Sequence, residues 1–305
     1  MNKMISIERV THVTNDLGEG PVWDAEKSAL WWVDSYAGKI FRLEDPMKVD
    51  CQKPEVWSMP SMIGSLALID DDRVIVALQT GIHFFNTRTG QLDLVSDPEG
   101  DLPETRFNDG KTDRAGNFLA GSMGIKVRDR ALGALYRVSP DLGVEVLEDD
   151  VIVANGPCFS PAGDVFYFND GRRRILAYDY HPDGPLTNKR VLFEGEKHQT
   201  GSDGATVDSD GNLWVALTGS SEIGMLSPEG ELLKRISMPV KLPSSVMFGG
   251  RDLDELYVTS ISNSGNRVSN EAGAGGLYRI TGLGVQGIAE TRLGSSVNET
   301  MSPPK

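Results

Sequence analysis

Three short runs place an oxygen-bearing side chain directly before a glycine: Glu19-Gly20, Asn155-Gly156 and Asp203-Gly204. Carboxylate and amide oxygens are the ligands that hard divalent cations prefer, and glycine lets neighbouring backbone come close. All-oxygen ligation favours calcium, magnesium or manganese; zinc or iron stays open because a site with free positions accepts several metals. One divalent cation held there would polarise a carbonyl and lower the pKa of water, which is hydrolytic chemistry. Asn and Asp also open strands as plain turn residues, so the set acquires meaning only if the fold makes it converge.

Other chemistries find less support. His12, His83, His181 and His198 sit in no metal-ligand spacing, and His198, although close in sequence to Asp203, is read as a loop residue. The run from Gly282 to Gly287 satisfies G-x-G-x-x-G, yet no βαβ unit follows it, and no G-x-S-x-G elbow occurs. A net charge of -14, with no basic cluster larger than Arg172-Arg173-Arg174, argues against nucleic acid. Residues 1–10 hold no apolar core of signal-peptide length, and no run reaches the length of a membrane span. A cytoplasmic protein that meets no membrane is expected. Cys51 and Cys158 lack any paired spacing and are read as buried free thiols.

The elements that must position these residues repeat along the chain. Copies of one unit start at Gly20, Gly64, Asn108, Asn155, Asp203 and Ser244. They lie about 40 to 50 residues apart, the length of one four-stranded propeller blade. Each copy holds a short apolar run, a turn, a strongly apolar run and a third strand-like run, residues 30–33 and 39–43 being the second and third in copy one. Asp210-Gly211-Asn212, Pro161-Ala162-Gly163-Asp164 and Ala115-Gly116-Asn117 fall where the first strand must reverse into the second, so Asp210 and Asp164 are read as turn formers.

These features predict an all-β, six-bladed β-propeller of four-stranded antiparallel blades. Residues 1–294 are expected to form a single domain, with 295–305 as a disordered tail. An open ring would leave exposed edges, so residues 5–10 are expected to pair with the last blade. Residues 284–293 read as a final strand, and the polar insertion 262–275 either edges a pocket mouth or forms a mobile loop.

The innermost strands of a propeller line a central channel, so the copy starts should converge: Glu19, residues 61–64, Asn108, Asn155, Asp203 and Ser244. The ends of the next strands, at Asp34, Gln79, Ser122, Asn169 with Asp170, Thr218 and Ser260, should form a polar rim.

The chain resembles the SMP-30/gluconolactonase/luciferin-regenerating-enzyme family over about residues 8–280. The resemblance is carried by LGEGPVWD at 17–24, RFNDGKTDRAGNFLAGSMG at 106–124, ANGPCFSPAG at 154–163, SDGATVDSDGNLWVA at 202–216 and FGGRDLDELYVTS at 248–260. It implies a six-bladed propeller, one divalent cation at the channel mouth and hydrolysis of sugar lactones. By resemblance, Glu19, Asn155 and Asp203 match the metal ligands, Asp203 also matches the general base, and Arg106 and Asn108 match positions that contact substrate. Ser122, in the second motif, is taken with them as substrate-binding. Ala154 and Ser202 stand where many members carry proline, and Asn169-Asp170 replaces the more usual Asp-Ser or Asp-Thr pair, which leaves the sugar open.

The expected function is metal-dependent opening of a small-molecule sugar lactone to its aldonic acid by an activated water. The alternatives are a non-catalytic, metal-stabilised propeller that binds a partner, and a hydrolase of a non-sugar ester or phosphoester. A channel mouth that gathers Glu, Asp, Asn and Arg favours catalysis over partner docking. Oligomeric state is not encoded in these features.

Overall fold

The computed structural model describes residues 4–46 and 53–295; Cys51 and the expected tail from residue 296 onward lie outside the described residues. Every copy of the repeat becomes one four-stranded antiparallel sheet, and six sheets form the ring of a β-propeller. Blade 1 comprises Gly18–Asp24, Ala29–Asp34, Lys39–Glu44 and Glu55–Ser58. Blade 2 runs from Ile63–Leu68 to Leu92–Ser96, blade 3 from Thr105–Thr112 to Val144–Val151, and blade 4 from Asn155–Phe159 to Thr187–Glu194. Blade 5 runs from Ala205–Val207 to Leu232–Ser237. Blade 6 takes Pro243–Gly249, Glu255–Ser260 and Tyr278–Thr281 from one end of the chain and Ser6–Arg9 from the other. A 3-10 turn at Gly195–His198 is the helical element among the described residues, and no helix there is long and apolar enough to cross a membrane.

The strand pattern follows from where each strand sits in its blade. The second strands of blades 1 and 3, Ala29–Asp34 and Phe118–Gly124, are buried along their whole length because neighbouring blades cover both faces. That is why they read as continuous apolar runs. The outermost strands, such as Leu232–Ser237, lie at the rim and expose most positions.

The core is correspondingly a ring of apolar layers between adjacent blades. Trp31, Ile40, Leu66 and Val76 pack between blades 1 and 2, and Trp214, Ile223, Phe248 and Leu256 between blades 5 and 6. Trp23 stacks on Tyr257 at 5.7 Å between ring centroids where blade 6 meets blade 1. Cys158 is a buried free thiol whose burial pushes its pKa up to about 12, as expected of a core residue.

Turn chemistry fixes the reversal from first to second strand. The Asp208 Oδ1 accepts the backbone N–H of Asp210 at 3.0 Å and of Asn212 at 2.8 Å, and Asp113 does the same for Ala115 and Asn117. Gly211 then takes the left-handed conformation, φ +88°, that glycine tolerates best. Asp208, rather than Asp210, is therefore the anchoring carboxylate of its turn.

Ring closure is antiparallel, with Ser6 opposite Thr281 and Arg9 opposite Tyr278. Arg279 bonds Glu8 through Nε at 2.7 Å and also reaches Glu255 at 3.3 Å, so one largely buried guanidinium ties the N-terminal strand to its blade.

The expected strand at 284–293 does not form. That segment crosses the far end of the channel: Gly287 N–H reaches the Leu253 carbonyl, Leu293 N–H the Leu68 carbonyl, and the Thr291 carbonyl accepts from Thr112. Arg292 Nη2 lies 2.9 Å from Asp24. Its partners belong to several blades in turn, so no single strand edge offers it a ladder. The segment plugs the ring instead.

Candidate metal centre and substrate pocket

Glu19, Asn108 and Asn155 sit where inner strands bulge. Register shifts fall between Glu19 and Val22, between Phe107 and Gly110, and between Asn155 and Cys158. A bulge inserts a residue and re-aims side chains, here towards the channel mouth. The glycines that follow the candidate ligands allow the inner strands to crowd there. Gly156 has φ +56°, and a Cβ on it would lie 2.7 Å from the Asp203 carbonyl oxygen. A Cβ on Gly204 would overlap the side chain of Ser245 on blade 6.

Glu19, Arg106, Asn108, Asn155 and Asp203 all line one open pocket, whose space is about 900 Å³ with the solvent at its mouth included. Convergence of these copy starts is thus a property of the fold. Asn108 Nδ2 donates to Asn155 Oδ1 and to the Ala154 carbonyl, each at 2.7 Å, which orients the two amides against one another. Arg106 is buried; its Nη1 donates to the Phe107 carbonyl at 2.8 Å, and its guanidinium lies 5.8 Å from the centroid of the Tyr36 ring.

Electrostatics single out the two carboxylates. Burial, followed by the charges of Asp203 and Asp109, pushes the Glu19 carboxyl well above its usual range. Burial raises Asp203 to about 7; Arg267, Arg128 and Arg106 pull against that rise, and Asp109 adds to it. Among the described residues neither Glu19 nor Asp203 has an ion-pair partner, and Glu19 accepts one backbone hydrogen bond, from Gly20 at 3.2 Å.

Desolvated carboxylates that lie near one another without a direct ion pair suit a cation. No group of three or more His, Cys, Asp or Glu is gathered for a metal among the described residues, so the set needs the Asn155 amide oxygen as its third member. Three hard oxygens and no sulfur or imidazole fit a hard divalent ion and leave coordination positions for water and substrate.

Several expected positions are occupied differently. Ser122 is fully buried away from the pocket: its Oγ donates to Glu99 at 2.5 Å and accepts the Ala134 N–H at 2.8 Å, while its strand neighbour Met123 lines the pocket. His198 stacks on Phe193 at 4.7 Å and does not line the pocket. Of the anticipated polar rim, only Asn169 faces the cavity. Asp34 instead accepts the N–H groups of Asp16, Leu17 and Ala37, Asp170 holds Arg172 and Arg174, and Ser260 bonds the Gly276 carbonyl. Buried polar groups at strand ends are consumed in fixing the next loop.

Other residues enter the site unannounced. Asp109, buried beside Asn108, accepts the Gly156 N–H at 2.8 Å and acts electrostatically on both carboxylates; the motif Asn108-Asp109-Gly110 was its available signal. Arg128, Arg173, Asn266 and Arg267 also line the pocket, so the insertion 262–275 does edge the mouth. Loop side chains of this kind have no place in the repeat, so periodicity could not locate them.

Comparison with known proteins agrees with this fold. A 6-deoxy-6-sulfogluconolactonase from Pseudomonas putida is 36% identical over 281 residues, covering 90% of this chain and 94% of that protein. The solved luciferin-regenerating enzyme is 30% identical with a TM-score of 0.88, covering 95% of this chain and 99% of its own. A calcium-binding protein, regucalcin, from Agrobacterium tumefaciens is 27% identical with a TM-score of 0.84, over 93% and 96% of the two chains. Residues 17–262 match the SMP-30/Gluconolactonase/LRE-like region, and the chain belongs to that family.

Proposed function

We propose that this protein hydrolyses a sugar lactone to the corresponding aldonic acid. The observation that carries the reading is the pair of buried carboxylates, Glu19 and Asp203, raised in pKa and without a direct ion pair in a pocket that also holds Arg106 and the amides of Asn108 and Asn155. Family membership and a relative named as a gluconolactonase of a modified sugar support the lactone.

Glu19, Asn155 and Asp203 would hold one divalent cation, and the calcium named for the regucalcin relative supports calcium. When bound, such a cation supplies Lewis acidity towards a carbonyl and lowers the pKa of water. Arg106 orients the lactone through directional hydrogen bonds from its guanidinium, and Asn108, whose N–H groups are spent on Ala154 and Asn155, offers its amide oxygen to a sugar hydroxyl. Asp203 takes one proton from the attacking water as the new C–O bond forms. The ring C–O bond then breaks, and that proton passes to the leaving alkoxide, so water is the only co-substrate.

Ring opening of a panel of aldonolactones, followed as acid release above the spontaneous rate, tests the reading. Wild type is expected to act on at least one lactone, and Asp203→Ala to lose about a hundredfold or more in kcat. Undiminished hydrolysis by the variant would remove Asp203 from the mechanism.

A further inference from the structure

Over most of this surface arginine is paired with a carboxylate. Arg137, Arg190, Arg235 and Arg279 reach Glu145, Asp179, Glu222 and Glu8. Such pairing is natural in a chain with 44 acidic and 30 basic residues. The pocket departs from it. Arg106, Arg128, Arg173 and Arg267 all line the cavity, and among the described residues none of the four forms an ion pair.

Their donors go to neutral acceptors instead. Arg128 Nη2 donates to the Tyr36 hydroxyl at 2.9 Å, Arg173 Nη2 to the Thr200 carbonyl at 3.0 Å, and Arg106 to the Phe107 carbonyl. Burial and then the Arg128 charge lower the Arg106 guanidinium to about 10, against the pull of Tyr36 and the carboxylates. Like charges are therefore held close together. Tyr36 organises them: its ring lies by Arg106, its hydroxyl anchors Arg128, and it borders Gly265 in the loop that carries Arg267.

The lining holds these four guanidinium groups against two carboxylates, Glu19 and Asp203, with Asp109 as a third beside them, so positive charge is in excess by one before any cation is added. A neutral lactone offers nothing to match that excess; its oxyanion is transient. Arg128 and Arg267, on loops of blades 3 and 6, both act on Asp203, so they border the place where the lactone ring would react.

We propose that the lactone taken by this site carries an anionic substituent, a sulfonate, phosphate or carboxylate remote from the ring carbonyl, docked on Arg128 and Arg267. The proposal rests on the lactonase reading given above. Guanidinium groups present paired N–H donors that match the oxygens of all three anions, and Arg173 adds to the field at the mouth.

The test compares kcat/KM of the cation-loaded, full-length protein for glucono-δ-lactone, its 6-phosphate, its 6-deoxy-6-sulfonate and glucaro-1,4-lactone, at low and high salt. At least one anionic lactone is expected to exceed the neutral one by about tenfold or more, with the advantage shrinking as salt rises. The ranking of the anions identifies the substituent. The double variant Arg128→Gln, Arg267→Gln, with its fold checked by thermal melting, is expected to lower that preference about tenfold. A neutral lactone used as well as every anionic one, or a preference that survives the double variant, overturns the proposal. If no lactone is opened, the lactonase reading fails, and calorimetry with 6-phosphogluconate and gluconate decides the subsite separately. Tighter binding of the phosphate, lost in the double variant, retains the anion site; equal binding removes it.

Discussion

Asp203 and Glu19 are costly residues to bury, and that cost has a measurable sign. The folded-state pKa of Asp203, about 7, lies above the ordinary 3.8, so the cation-free folded protein favours the protonated form. Stability from this group is complete below about pH 4 and is lost as pH rises through about 7. Asp203→Asn carries no such charge, so cation-free variant should gain on cation-free wild type between pH 5 and 8, by a few kcal/mol at most. Urea unfolding at both pH values, with chelator present, measures this; parallel pH responses would mean that the carboxyl is not desolvated. A divalent cation should reverse the order at pH 8 by binding wild type more tightly. That Glu19, Asn155 and Asp203 share one pocket was legible in the sequence because an oxygen-bearing side chain and a following glycine coincide at repeat starts. Ser122 was misleading, since its position in the motif says nothing of which strand face it occupies, and the structure gives its hydroxyl to Glu99.

At the scale of elements, the inner strands show why glycine follows each proposed ligand. Gly204 N–H donates to the Ser244 carbonyl at 2.7 Å, and the place of its missing Cβ is filled by Ser245. Gly204→Ala must therefore push blade 5 away from blade 6 and carry Asp203 with it. A loss of about 1–3 kcal/mol in unfolding free energy is expected, together with weaker cation binding. Chemical denaturation and calorimetric cation titration of the same preparation measure both; unchanged cation affinity would show that the strand position does not set the ligand. Middle strands were plain in the sequence because burial on both faces leaves long apolar runs such as residues 29–33 and 213–217. Residues 284–293 defeated the same logic: Val285 packs between blades 5 and 6, Leu293 between blades 2 and 3, and their backbone bonds go to several blades rather than to a ladder. Likewise the loops that deliver Arg128 and Arg267 obey no period, and their direction follows only from the folded ring.

For the molecule as a whole, ring integrity and site chemistry rest on different interactions. Apolar layers between all neighbouring blades, closed by Ser6–Arg9 and by the Trp23–Tyr257 stack, hold the propeller through contacts apart from the candidate cation site. Six-fold repetition made this architecture readable from the sequence. The charge distribution was not, because a net -14 conceals a mouth where arginine outnumbers carboxylate. This division of labour means that Glu19→Gln should fold normally, with far-UV circular dichroism and melting close to cation-free wild type. Activity should behave otherwise. The most direct test measures lactone hydrolysis and cation affinity together for wild type and Glu19→Gln, after metal stripping and again after reloading. The account predicts that stripped wild type is inactive and recovers with the cation, and that Glu19→Gln binds the cation about tenfold or more weakly and loses activity in parallel. Hydrolysis that survives stripping, or a Glu19→Gln protein with wild-type cation affinity, would contradict it.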